Sequence, residues 1–154
     1  MNRRTVLATS GLALAGLVAA TFMLGPTQAD GLLVPDNPQI VARGAEVYAQ
    51  ECASCHGANL GGQPGWRVRG EDGMLPAPPH DASGHTWHHD DETLFILTKY
   101  GLSELMENAP PSGMPAYDGV LSDEDIVAVL SYIKSTWPDG IRAHHDALNA
   151  QSDP

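Results

Sequence analysis

Between Gly57 and His80 ten residues are glycine or proline, and a second stretch of the same kind, from Asn108 to Gly119, holds "APPSGMPAYDG". Glycine and proline at this density interrupt helix and sheet alike, so neither stretch can be a regular element. Loops this long are uncommon inside a compact domain unless they wrap something functional. At 154 residues, with 42% hydrophobic and 18% charged residues, the chain has the size and composition of one globular domain. Yet the segments outside the loops supply little core for the roughly 125 residues that follow the N-terminal segment. A large apolar ligand at the centre would account for both shortages.

Three amphipathic helices are predicted in what remains, and no convincing strand. The first runs from about Pro38 to Cys52, with proline in its first turn and Ile40, Gly44, Val47 and Tyr48 on one stripe. The middle one, about Asp90 to Tyr100, opens on three acids suited to a positive helix N-terminus and closes at Gly101; its "LFIL" alone could be a buried strand. The last spans about Ser122 to Trp137: Ser122 and Asp125 have capping-box spacing, Ile126, Leu130, Ile133 and Trp137 repeat at helical intervals, and Pro138 stops it.

Ahead of the fold, Arg3 and Arg4 precede an uncharged apolar run from Thr5 to Leu24 and a small-residue exit ending at Ala29. This is the pattern of an export signal; the run also approaches the roughly 20 residues that span a bilayer, so residues 5–24 could remain as an uncleaved membrane anchor. The positive-inside rule keeps the two arginines in the cytoplasm and delivers the rest outside, to a bacterial periplasm, soluble or tethered. The paired arginines lack the rest of a twin-arginine pattern. Three segments follow: 1–29 signal or anchor, 30–141 folded domain, 142–154 C-terminal tail. Residues 30–154 hold six basic and nineteen acidic residues, net −13. That charge argues against nucleic acid or an anionic membrane surface, and for a basic docking partner or simple solubility.

Both cysteines fall in "ECASCHG", Glu51 to Gly57, with His56 directly behind the second. A thioredoxin-like switch places its cysteines at a helix start after a strand, whereas these follow a helix. A zinc site needs four ligands, and no further cysteine exists to build the sulfur-rich versions. Cys-x-x-Cys-His is the attachment pattern of c-type haem, in which Cys52 and Cys55 add to the vinyl groups and His56 coordinates the iron. One helical turn separates the two sulfurs to match the two vinyls, and the next residue swings under the metal.

With this motif, "GAEVYAQECASCHG" (Gly44 to Gly57), "SGMPAY" (Ser112 to Tyr117) and "LSDEDIVAVLSYIKSTWP" (Leu121 to Pro138), the chain resembles the class I mono-haem cytochromes c. The resemblance implies an all-α fold of three main helices and long loops around one covalent haem c. It implies a close crossing of the first and last helices, where Gly44 and Tyr48 meet Tyr132. The segment from Pro78 to Gly101 looks like a bacterial subgroup of the same family.

The sixth iron ligand decides between a closed, low-spin carrier and an open, reactive iron. Met74, Met106 and Met114 are the candidates, and Met114 is preferred because it precedes Pro115 in a Pro/Gly-rich loop, the context of the family's methionine ligand. His56 is expected to donate its second ring N–H to a backbone carbonyl, for which the resemblance points to the following loop and Pro64. Leu60 is expected on the haem face, and Trp66 and Arg67 of "WRVRG" beside the propionates; ordinary loop packing is the alternative for each. His85, His88 and His89 of "GHTWHH" could bind copper or zinc, or be loop and helix-entry histidines; His144 and His145 read as solvated tail residues.

The function expected is that of an exported one-electron carrier cycling between Fe(II) and Fe(III), partnered by redox protein donors and acceptors. No catalytic base, nucleophile or second haem motif supports independent catalysis, so the chain is not expected to be an enzyme itself. The alternatives are a cytochrome subunit of a periplasmic oxidoreductase or oxidase complex, and a His-rich copper- or zinc-handling protein.

Overall fold

The computed structural model describes residues 31–152; the expected signal or anchor lies outside the described residues. Six helices follow in order: α1 (Pro38–Val47), α2 (Ala53–His56), α3 (Asp91–Tyr100), α4 (Leu102–Leu105), α5 (Asp123–Ser135) and α6 (Asp139–Ser152). A π turn over Tyr48–Cys52 joins α1 to α2, and a 3₁₀ turn over Thr86–His88 precedes α3. There is no strand among the described residues, so the all-α expectation holds. None of the described helices is long and apolar enough to cross a membrane.

Local chemistry sets the helix ends. The Asn37 side chain accepts from the amides of Gln39 and Ile40, with Pro38 in the first turn of α1. Asp90 caps α3 through the Thr93 amide, and Gly101, at φ 85°, ends it in a conformation that a side chain resists. Ser122 caps α5 through the Asp125 amide, as its spacing predicts.

The centre of the fold is the crossing of α1 and α5. The stripe of α1 buries Gly44 and Val47 and is continued by Tyr48 at the start of the π turn; that of α5 buries Ile126, Val129, Leu130 and Ile133, with Trp137 just beyond. A side chain at position 44 would run into the Ala128 carbonyl and lie 2.8 Å from Tyr132 Cβ, so glycine is what lets the helices touch. Tyr48 then lies against Tyr132, ring centres 5.5 Å apart, where the resemblance placed it. Outside, the Arg43 guanidinium grips both Asp125 oxygens, at 2.7 and 2.9 Å.

The expected tail differs. Pro138 follows the end of α5 but also opens α6, its carbonyl accepting the amides of Ile141 and Arg142. His144 is exposed, whereas His145 is fully buried (0%) and not solvated. Its Nε2–H donates to the His89 carbonyl at 2.9 Å, and the Lys134 ammonium pairs with Asp146 at 2.7 Å beside it. Asp91 joins this group: it accepts the Leu33 amide and an Asn149 amide hydrogen and lies 3.9 Å from Lys134.

Candidate functional site

The cysteine motif sits where the first helical segment changes geometry. Across the π turn the amide of Ala53 reaches the Tyr48 carbonyl, five residues back, and such turns recur at functional sites. Two tyrosines brace the motif from either side. Tyr48 Oη–H donates to the Gly57 carbonyl and Tyr117 Oη–H to the Glu51 carbonyl, each at 2.9 Å. Burial holds both phenols protonated, pushing Tyr117 up to about 12. Between these clamps Cys52 is half-buried, Cys55 exposed and His56 buried.

His56 is held in one tautomer. Its Nδ1–H donates to the Pro78 carbonyl at 2.8 Å, which leaves the Nε2 lone pair for a metal. The carbonyl is therefore that of Pro78 and not of Pro64, and loop geometry gives the reason. Gly62, at φ 67°, turns the chain just after the motif, and Gln63 and Ala77 are cross-linked by bonds of 2.8 and 2.9 Å. Residues 64–76 thus bulge outward with Pro64 exposed, and residue 78 returns beside the motif. Gly62 and Gly84 both approach Pro79 so closely that a side chain at either would strike its backbone.

Behind His56 stands His80, which the sequence reading did not single out. The two rings stack with centres 4.0 Å apart and planes 28° from parallel. Desolvation, with His56 and His85 as lesser causes, pushes His80 down to about 3, so its ring is neutral. Its carbonyl accepts Trp137 Nε1–H at 2.8 Å, tying the loop to the end of α5. A histidine in a Pro/Gly-rich loop carries no periodic signal that could have found it.

The second loop reaches the motif through Tyr117, three residues after Met114. Its amide donates to the carbonyls of Thr98 and Lys99 at the end of α3, while its hydroxyl holds Glu51. Met114 is half-buried, and so is Met74, whose sulfur lies 3.8 Å from where a Cβ on Gly113 would sit. Met106 is 50% exposed and turned to solvent.

This is a two-loop site built around Cys52-x-x-Cys55-His56, and the family model for cytochrome c matches residues 41–137. The chain belongs to the cytochrome c family. Two cytochromes c-552 of Thermus thermophilus are each 36% identical over 104 residues. The match spans 64% of this chain and 70% and 62% of those proteins. The gluconate 2-dehydrogenase cytochrome c subunit of Pantoea cypripedii is 26% identical over 110 residues, 71% of this chain but 23% of that protein. A nitrite reductase of Stutzerimonas stutzeri is 27% identical over 126 residues, 82% of this chain and 21% of its own length. No solved structure matches.

This cytochrome c is thus an electron carrier of the c type whose cofactor is covalent haem c, and the residues at the site fit it. Cys52 and Cys55 are not joined to each other in a disulfide, so both sulfurs are available to the vinyl groups. Burial, then the neighbouring Glu51, pushes Cys52 up to about 11, the reverse of the lowered value a dithiol switch needs. Among the described residues no group of three or more His, Cys, Asp or Glu is placed to hold a metal ion. The three histidines of "GHTWHH" are ring partners: His85 stacks on Trp66 at 5.4 Å and meets His89 edge-on, and His88 stacks on Trp87 at 3.7 Å. Trp87 Nε1–H is buried without a partner, a donor for which a bound group could supply the acceptor.

Leu60 is buried at φ 63°, rare for a branched side chain, and its carbonyl accepts the amides of His80 and Asp81. Trp66 and Arg67 ride on the outward bulge, the guanidinium 4.0 Å over the indole, while Arg69 donates to the Gly73 carbonyl.

Proposed function

We propose that this cytochrome c is an exported one-electron carrier with His56 and Met114 as the axial ligands of its haem iron. The observation that carries the reading is the clamped His56: a ring whose Nδ1–H is committed to the Pro78 carbonyl can offer only Nε2 to a metal. Bound haem supplies the Fe(II)/Fe(III) couple. His56 would hold the iron from one side and Met114, on a loop that Tyr117 ties to the cysteine motif, would hold it from the other, a fixed ligand pair that suits electron transfer with little rearrangement. Leu60 packs on the haem face, Pro64 lies in the surrounding loop, and Trp66 and Arg67 neighbour the propionates.

Residues 1–29 serve as signal or anchor and deliver the domain that begins near residue 30 to a bacterial periplasm. Its partners are redox proteins with basic docking surfaces. All six basic residues of the exported part are engaged internally: Arg43, Lys99, Lys134 and Arg142 with carboxylates, Arg67 with Trp66 and Arg69 with a carbonyl. The acidic surplus is therefore what a partner meets. A second reading, a subunit of a larger redox enzyme, is favoured by the partial matches to a dehydrogenase subunit and a nitrite reductase.

Met114→Ala tests the ligand assignment in the haem-loaded protein. It should abolish the methionine-to-iron absorption band of the ferric form and lower the reduction potential, while Met74→Ala preserves both. Loss of the band in Met74→Ala instead would transfer the role to Met74. Co-purification of the native protein with a catalytic partner would favour the subunit reading.

A further inference from the structure

The Pro78 carbonyl fixes the direction in which His56 Nδ1–H points, but one hydrogen bond leaves the ring free to rock about the line through its two nitrogens. A flat group against the ring face opposes that motion. His80 supplies one, with ring centres 4.0 Å apart and planes 28° from parallel. We infer that His80 is a positioning residue whose ring, stacked on His56, sets the rotation of the ligand imidazole about the iron–nitrogen axis. This rests on the reading of His56 as an iron ligand.

His80 is itself held firmly enough for the task. Its amide donates to the Leu60 carbonyl at 2.8 Å, its carbonyl accepts Trp137 Nε1–H at 2.8 Å, and its Nδ1 lies 3.0 Å from Thr86 Oγ1. Thr86 is buried, so this last contact is shielded from competing water. The Tyr48 ring stands edge-on to it, 6.1 Å away and at 75°. Pro78 and His80 are two residues apart in one stretch, so a single segment governs both the in-plane bond and the face contact. Gly62 and Gly84, packed against the Pro79 backbone between them, leave that stretch no room to shift. Rotation of an axial imidazole orders the iron d orbitals, so it is read in the ferric protein independently of stability or turnover.

The test uses haem-loaded ferric protein and two readouts, the NMR shifts of the haem methyl groups and the EPR g values. His80→Leu, which fills the space without a flat face, should redistribute the methyl shifts and move the g values; His80→Phe, which restores a flat face, should keep the wild-type pattern. An unchanged pattern in His80→Leu overturns the inference, and so does an equal change in both variants, which would assign the effect to the lost polar contact. Should neither variant accumulate with haem, Thr86→Val serves: releasing His80 Nδ1 should move the same signals, and an unchanged pattern overturns the inference. Failure of the underlying reading looks different. A wild-type ferric protein without a low-spin signal, or a His56→Ala protein that keeps one, would show that His56 is not the ligand.

Discussion

The two flanks of α5 are stabilised in opposite ways. Toward α1 the contact is one of shape: Gly44 lies on the Ala128 backbone, Val47 and Tyr48 fill in around Val129 and Tyr132, and the Arg43–Asp125 ion pair sits at the rim. Toward α3 and α6 the contact is one of pairing, since Lys134, Asp91, Asn149 and His145 are enclosed with almost every polar atom matched. A shape contact fails when volume is added, because neither backbone can retreat. A paired contact fails when one member is removed, because its partners stay buried with their needs unmet. The first flank carries the cysteine motif directly; the second acts on it through side chains and loops, by way of Trp137 and the His80 loop and by way of Tyr117, which joins the end of α3 to the Glu51 carbonyl.

The shape contact should give the larger effect. In Gly44→Val the branched side chain meets the Ala128 carbonyl and Tyr132 Cβ, and a loss of about 3 kcal/mol or more is expected. Because the same helix leads into Cys52, the yield of protein with covalent haem should collapse, as measured by intact mass and the c-type absorption bands. Normal yield and stability would mean that the crossing can open without cost. Asp91→Ala should cost less, about 2 kcal/mol by denaturant unfolding of the haem-loaded protein. Lys134 keeps its closer partner, Asp146 at 2.7 Å, so only part of the pairing is lost. Haem attachment should be preserved, and a variant that loses haem would erase the proposed division between the flanks.

The same contrast decides what could be read in advance. The stripe of α5, from Ile126 to Trp137, and the Ser122 cap are local signals, and each appears in the fold where its spacing predicts. The motif was legible because covalent attachment dictates a fixed interval between Cys52, Cys55 and His56. In α6 the one fully enclosed side chain is a histidine, and a polar residue gives no sign of burial until its partners on α3 and α5 are known. Pro78 and His80 were hidden for a related reason. Pro64 is nearer the motif along the chain, but the turn at Gly62 and the cross-link between Gln63 and Ala77 bring residues 78 and 80 back instead. Which residues of a loop return depends on its closure, and closure is not periodic.

The smallest expected effect concerns protons on the paired flank. His145 is held neutral: burial lowers its pKa below the ordinary 6.5, and the Lys134 ammonium lowers it further, against the opposing pull of Asp91 and Asp146. Its bonds require that form, since Nε2–H donates to the His89 carbonyl while Nδ1 faces the Asn149 amide at 3.2 Å. A base whose folded pKa lies below its unfolded value makes the unfolded chain the better proton binder. The stability it supports is therefore complete above pH 6.5 and is lost as pH falls from there through the folded value. Asp90 and Asp125, with pKa values lowered from 3.8, act only in more acidic solution. His80 and His85 are lowered like His145 and share its sign, so wild-type protein alone does not isolate the effect. Comparison with His145→Gln does: unfolding free energies of both haem-loaded proteins at pH 7.5 and 5.5 should fall with acid in each, and fall less in the variant. An identical fall in both would show that His145 takes up no proton on unfolding, and that the paired flank is as indifferent to pH as the shape contact across α5.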